Sequence, residues 1–195
     1  MRLYHLAPSR STRVLWMLEE AGQPFELTLL KREDRHTDEH RLRHPLGRVP
    51  VLEDDEGFLF ESAALCLHLA DLYPEGQLNW PLGSHERALV YQWTLFAMTE
   101  LEPAIIEART HREDDPDRAK AGAERLQTAA AVVETALERH EYLVADWFSV
   151  ADVVCGAVLI FAKNAGLTDE LPKINSYIDR LEARPARQRA TAIGT

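Results

Sequence analysis

Apolar positions change their period several times before residue 74, whereas beyond residue 85 they keep a single one. "MRLYHL" is a short apolar run suited to a strand, and "TRVLWMLEEAG" repeats its apolar residues at helical spacing and closes at Gly22. "PFELTLLK" alternates in part and reads as a second strand. After a polar stretch rich in His, Arg and acids, "VPVLED" and "GFLF" flank "DDEG", which predicts an antiparallel hairpin turning at Gly57. "ESAALCLHLADLYP" is a helix stopped by Pro74. This order of elements predicts a small four-stranded sheet with helices packed on it.

"PEGQLNWPLGSH" then places two prolines and two glycines within a dozen residues, a linker composition. Beyond it strand signals vanish. Val90, Trp93, Ala97 and Leu101 mark one helical face, and Ala123, Leu126, Ala130, Val133 and Leu137 mark another. "FSVADVVCGAVLIFAK" is apolar on nearly all sides and belongs at the centre of a helical bundle. The division implied is an α/β domain over 1–74, a linker over 75–84 and an all-α domain over 85–195.

Composition narrows the function classes. The chain has 195 residues, and 32 acidic against 22 basic residues give a net charge of -10, a surface that repels phosphate backbones and argues against nucleic acid as a partner. Arg184, Arg187 and Arg189 form a local basic cluster that reads as a solvated helix face. The longest uncharged apolar run, "VVCGAVLIFA", is about half of what a bilayer crossing needs, so no membrane partner is expected. The opening residues lack the order of a secretory signal, which predicts a cytoplasmic chain. Cys66 and Cys155 lie far apart, each in an apolar stretch, and read as two buried thiols.

Three places carry candidate chemistry, each with a structural alternative. Ser9, Ser11 and Thr12 fall where the first helix begins; a hydroxyl there caps the helix or, with the positive helix start, holds an anion such as a thiolate. Val49 and Pro50 open the hairpin; a trans proline there is merely the first residue of a strand, while a cis bond turns the backbone of Val49 outward to pair with an extended peptide. Glu61 and Ser62 start the third helix. They serve as caps, or they bind a ligand carboxylate and ammonium together, as one amino-acid backbone would require. His36, His40 and His44 recur every four residues, but without a cysteine and amid charged neighbours they read as an exposed polar segment, and no metal is expected. Ser149 and Asp152 fit a structural capping box.

Taken together, "SRSTRVLW", "GRVPVL", "FESAAL", the linker and "FSVADVV" resemble the cytosolic glutathione transferase family over nearly the whole chain. The resemblance implies a thioredoxin-like N-terminal domain and an all-helical C-terminal one. The redox Cys-x-x-Cys of thioredoxin is replaced here by "SRST". In the serine-type members a hydroxyl of this loop hydrogen-bonds the sulfur of glutathione and lowers its pKa. Ser9 is the first choice because it precedes Arg13 by four residues, as in the insect delta-type enzymes, and Ser11 is the reserve. Arg10 stands where beta-type bacterial enzymes carry a cysteine. By the same resemblance Val49, before a cis Pro50, pairs with the cysteinyl backbone of glutathione, Glu61 and Ser62 hold its γ-glutamyl end, and Arg48 reaches its glycyl carboxylate. His44-Pro45 replaces the family's frequent Asn-Pro.

The implied reaction is attack of glutathione thiolate, the co-substrate, on a small apolar electrophile. The second pocket is expected between the domains, with Tyr91, Phe96, Thr99 and Ile106 taken from helical phase. A homodimer is expected. The alternatives are a glutathione-dependent peroxidase or disulfide reductase, and a noncatalytic binding protein of the same fold.

Overall fold

The computed structural model describes residues 1–193. Strands β1 (Arg2–His5), β2 (Glu26–Leu29), β3 (Val51–Glu53) and β4 (Phe58–Phe60) form one sheet in the order β2-β1-β3-β4. β1 and β2 are parallel because helix α1 (Ser11–Ala21) carries the chain back between them, whereas β3 is antiparallel to both β1 and β4. The β3–β4 turn closes as "DDEG" predicts. The Asp54 amide donates to the Gly57 carbonyl at 3.0 Å, and Asp54 Oδ1 accepts the amides of Glu56 and Gly57. α1 ends at Gly22, whose φ of 67° is the left-handed stop that glycine adopts without cost.

Helix α3 (Ser62–Leu72) packs beside α1. Val14, Leu15, Trp16 and Met17 of α1, Leu65, Cys66 and Leu69 of α3, and Leu3, Val51 and Leu52 of the sheet are all essentially inaccessible. Each large apolar side chain enclosed this way stabilises the fold by roughly 1.5–3 kcal/mol. Burial also pushes the Cys66 thiol up to about 12, so it stays protonated and inert.

Between β2 and β3 lies the histidine-rich segment, with helix α2 (Asp38–Arg43) capped by the Thr37 hydroxyl. Its expected exposure is corrected: His36 is exposed, but His40 and His44 are 1% and 3% accessible. His40 Nε2 sits 2.9 Å from the Arg48 carbonyl. His44 Nδ1 accepts the Leu46 amide at 3.1 Å, and its ring lies 4.8 Å from that of Phe60. Backbone hydrogen bonds compensate for the burial, which a count of charged neighbours cannot reveal. Gly47 (φ 59°) is required in this segment because a Cβ there would stand 2.4 Å from the Arg35 carbonyl oxygen.

The chain divides into two compact units, Asn79–Glu182 forming the second. Helix α4 (His85–Phe96), a π-helical turn (Ala97–Leu101) and helix α5 (Glu102–Thr110) run continuously. The wide turn precedes Pro103, which has no N–H to offer, and the Glu102 amide reaches back to the Ala97 carbonyl. Val90, Trp93, Ala97 and Leu101 are buried, as their spacing predicts. Helices α6 (Pro116–Ala136) and α8 (Pro172–Glu182) enclose the unit with α7 (Val150–Asn164), whose apolar positions are almost all inaccessible. The capping box at the start of α7 is formed. Asp152 accepts the Ser149 amide at 2.8 Å and the Leu143 amide at 3.0 Å, and the Tyr177 hydroxyl donates to it at 2.8 Å. Among the described residues no helix is long and apolar enough to cross a membrane.

The last helix, α9 (Pro185–Ala192), departs from the expected division. It belongs to the first unit, packed on α1. Arg184 makes a bidentate pair with Glu20 at 2.7 and 2.8 Å, Arg189 pairs with Glu19 at 2.6 Å, and the Arg187 guanidinium lies 5.2 Å from the Trp16 ring centre. The basic cluster therefore faces α1, with Arg187 buried, Arg184 half-buried and Arg189 still exposed. Its acidic partners, twenty residues into the chain, balance it.

Candidate functional site

The strand register fixes which loops meet. Tyr4 pairs with Val51, and Val51 with Phe60, so the end of β1, the start of β3 and the end of β4 share one end of the sheet. Residues 6–11, 49–50 and 61–62 continue from those three points. Three motifs spread over residues 6–62 are thereby brought to one place, all within the first unit.

In the first loop the Ala7-Pro8 peptide is cis and Arg10 occupies the cap position of α1 without a capping side-chain hydrogen bond. Ser9 Oγ instead accepts the Ser11 amide at 3.1 Å and lies 2.7 Å from Ser11 Oγ. Ser11 is fully enclosed while Ser9 is half-buried, so of the two hydroxyls Ser9 is the one open to a ligand. Ser11 Oγ accepts the Leu6 amide at 3.2 Å and stands 2.7 Å from His5 Nδ1. His5 is completely buried, and burial holds its pKa below the ordinary imidazole value; the Ile193 backbone offsets part of that shift without closing a hydrogen bond to Nε2. The sequence reading leaves His5 inside an apolar strand. A lone imidazole on the last residue of a buried strand, directly before a hydroxyl-rich turn, is the signal that was there to be read.

The Val49-Pro50 peptide is cis, and Val49 lies outside the strand ladder, its N–H and C=O unengaged among the described residues. Such a free pair at a sheet end accepts an extended chain. Arg48 beside it is exposed, its carbonyl held by His40.

At the third loop Glu61 stands exposed with φ 75° and ψ 106°, a backbone conformation costing a non-glycine residue about 1–3 kcal/mol. Its carboxylate makes no cap for α3, and its charge reaches His44, whose pKa burial lowers and Glu61 partly restores. Ser62 is buried, and Arg13 Nη1 of α1 donates to its hydroxyl at 3.3 Å. Sequence spacing used Arg13 only as a landmark; the fold makes it the strut between α1 and α3. The site thus combines a half-exposed hydroxyl at one helix start, an open backbone edge, and a carboxylate above a second helix start.

The four residues chosen from helical phase lie in the second unit. Tyr91 is exposed and its hydroxyl accepts from Arg87 Nε at 2.9 Å. Phe96 packs edge-on to Trp93 at 5.8 Å. Thr99, in the π-helical turn, donates to the Leu95 carbonyl at 3.0 Å, and Ile106 is exposed on α5. A separate cavity of about 410 Å³ in the first unit is lined by Arg2, Tyr4, Leu30, Asp34 and Arg43 among others, and includes none of the predicted residues.

Two family models match the chain: "Glutathione S-transferase, N-terminal domain" over residues 3–77 and "Glutathione S-transferase, C-terminal domain" over 91–185. Glutathione S-transferase 4 of Zea mays is 31% identical, the match covering 90% of this chain and 84% of that protein. A glutathione transferase of Methylococcus capsulatus superposes with a TM-score of 0.90 at 30% identity, over 99% of this chain and 98% of the other. A sphingomonad glutathione S-transferase complexed with glutathione superposes at 0.89 with 25% identity, over 100% and 98%.

Proposed function

Because the chain belongs to the glutathione S-transferase family, we propose that the three loops at the end of its N-terminal sheet bind glutathione and that Ser9 activates the thiol. The observation that carries this reading is the register of β1, β3 and β4, which collects Ser9, Val49 and Glu61 at one end of the sheet. The Val49 backbone pairs with the cysteinyl unit as an added strand would. Glu61 takes the γ-glutamyl ammonium, Ser62 and the first amides of α3 take its carboxylate, and Arg48 reaches the glycyl carboxylate. The strain at Glu61 fits a residue held for binding rather than for folding.

Magnitudes support one hydroxyl as sufficient. An ordinary cysteine thiol has a pKa of about 8.5, and thiolate predominance at neutral pH needs a drop of about two units, or roughly 2.7 kcal/mol. A hydrogen bond to a charged group contributes about 1.5–3 kcal/mol, and a helix N-terminus adds about 0.3–1 kcal/mol. Ser9 at the start of α1 supplies both. The thiolate, fixed by the peptide contacts, then attacks a small apolar electrophile. Positioning does the rest of the work. Tyr91, Phe96, Thr99 and Ile106 are proposed as contacts of the electrophile.

A homodimer and a cytoplasmic location complete the reading. β4 is an edge strand whose Phe58, Leu59 and Phe60 are each about two-fifths exposed, a surface that needs covering. A crystal structure with glutathione tests the whole assignment. The expected map has sulfur beside Ser9 and the glutamyl end at Glu61 and Ser62; glutathione bound elsewhere, or an empty cleft at saturating glutathione, refutes it.

A further inference from the structure

The enclosed hydroxyl of Ser11 has more neighbours than one proton can serve. Its oxygen accepts the Leu6 amide at 3.2 Å and lies 2.7 Å from both Ser9 Oγ and His5 Nδ1. With one lone pair taken, the remaining lone pair and the single proton must be divided between a serine on one side and an imidazole on the other. Ser11 Oγ also lies 3.3 Å from the Leu6 carbonyl, but only two arrangements put a proton into both of the 2.7 Å contacts. If Ser11 donates to His5, then Ser9 donates to Ser11, and the Ser9 proton points into the protein where no ligand can use it. If His5 Nδ1–H donates to Ser11, then Ser11 donates to Ser9, and Ser9, which also accepts the Ser11 amide at 3.1 Å, has its own proton left to point outward.

We infer that His5 is a positioning residue of the active site: through Ser11 it orders the chain of hydroxyls so that the proton of Ser9 faces the ligand sulfur. The inference rests on the assignment of Ser9 as the thiol-activating residue. The imidazole is fully buried at the end of β1 and cannot touch a bound ligand itself. Its Nε2 has no hydrogen-bond partner among the described residues. An N–H placed there faces the Ile193 backbone without closing a hydrogen bond, whereas the tautomer carrying its proton on Nδ1, the one that turns Ser9 outward, donates across 2.7 Å. Hydrogen-bond chains of this kind polarise one another, so the donor strength of Ser9 also rises when Ser11 donates to it.

Two near-isosteric substitutions test this. Asparagine places its amide where Nδ1 stands and still reaches Ser11; glutamine carries the amide at the place of Nε2 and does not. The readout is the pKa of glutathione's thiol when bound, followed by the ultraviolet absorbance of the thiolate as pH is varied, with calorimetry reporting glutathione affinity alongside. His5→Gln is expected to raise the bound-thiol pKa by about one unit, a roughly tenfold loss of kcat/KM at neutral pH, while affinity changes little. His5→Asn is expected to recover most of the loss. Parent-like thiol pKa in His5→Gln, or equal shifts in the two variants, overturns the inference. Ser9→Ala measured beside them separates the two claims: if it raises the thiol pKa and His5→Gln does not, the activating serine stands and the role of His5 falls; if it does not, both fall.

Discussion

The guanidinium of Arg13, buried within α1, donates to the hydroxyl of Ser62, the first residue of α3, at 3.3 Å. One strut therefore sets the spacing of the two helix starts on which the binding reading depends. Arg13→Met removes the donor and is expected to cost about 2 kcal/mol of stability by chemical denaturation, with weaker glutathione binding by calorimetry. Parent-like values in both measurements would show that the strut is idle.

Ser9→Ala is expected to lower conjugation at neutral pH by about tenfold to a hundredfold, and by much less near the ordinary thiol pKa of about 8.5, where the proton leaves unaided. Ser11→Ala also strips the half-buried Leu6 amide of its acceptor and so loses stability, by about 1 kcal/mol. A pH–rate profile of each variant with a chlorinated aromatic substrate makes the comparison. If Ser9→Ala keeps the parent profile while Ser11→Ala is inactive, the activating residue lies two positions later.

Glu61 combines a positive φ with an exposed carboxylate, so its two roles can be separated. Glu61→Gly relieves the backbone and is expected to hold or raise the melting temperature while weakening glutathione binding. Glu61→Ala keeps the strain and loses the charge, and is expected to bind as weakly without the gain in stability. Equal melting temperatures for the two variants would mean that the conformation carries no strain.

Much of this arrangement was legible in the sequence, for reasons that also explain what was not. The strand, helix, strand and hairpin order follows from period changes and from Gly22, Gly57 and Pro74, all local signals. The motifs at Ser9, Val49 and Glu61 were readable as types, because a hydroxyl or carboxylate at a helix start has few uses. The burial of His40 and His44 was not, since backbone partners such as the Arg48 carbonyl are supplied only by the folded chain. Nor was the place of α9. "PARQRATA" has almost no apolar face, and its docking depends on arginines meeting Glu19, Glu20 and Trp16 more than 160 residues earlier.

Acid should weaken the first unit through its histidines. His5 and His44 are both held below the ordinary imidazole pKa, chiefly by burial. Well above about pH 6.5 they are neutral in folded and unfolded chains alike and contribute nothing. As pH falls through about 6.5 the unfolded chain takes up protons that the folded one refuses, and unfolding becomes easier. His5→Asn is expected to show a smaller drop in melting temperature between about pH 7.5 and about pH 5.5. Parallel behaviour of variant and parent would contradict the sign or the site of the effect.

The edge strand gives the prediction for assembly. Light scattering at micromolar concentration is expected to report twice the mass of one chain, and Phe60→Asp, which puts a charge into the exposed apolar row of β4, to shift it toward one. A parent protein already at the mass of one chain would count against the dimer.

The docking of α9 on α1 has a consequence for how the protein comes into being. During synthesis residues 1–78 lack their closing helix until the more than a hundred residues of the second unit have been made, so of these two units the one begun earlier is completed later. A fragment cut after Leu78 would leave Glu19, Glu20 and the ring of Trp16 facing water, and is a poor stand-in for the sheet domain of the intact protein.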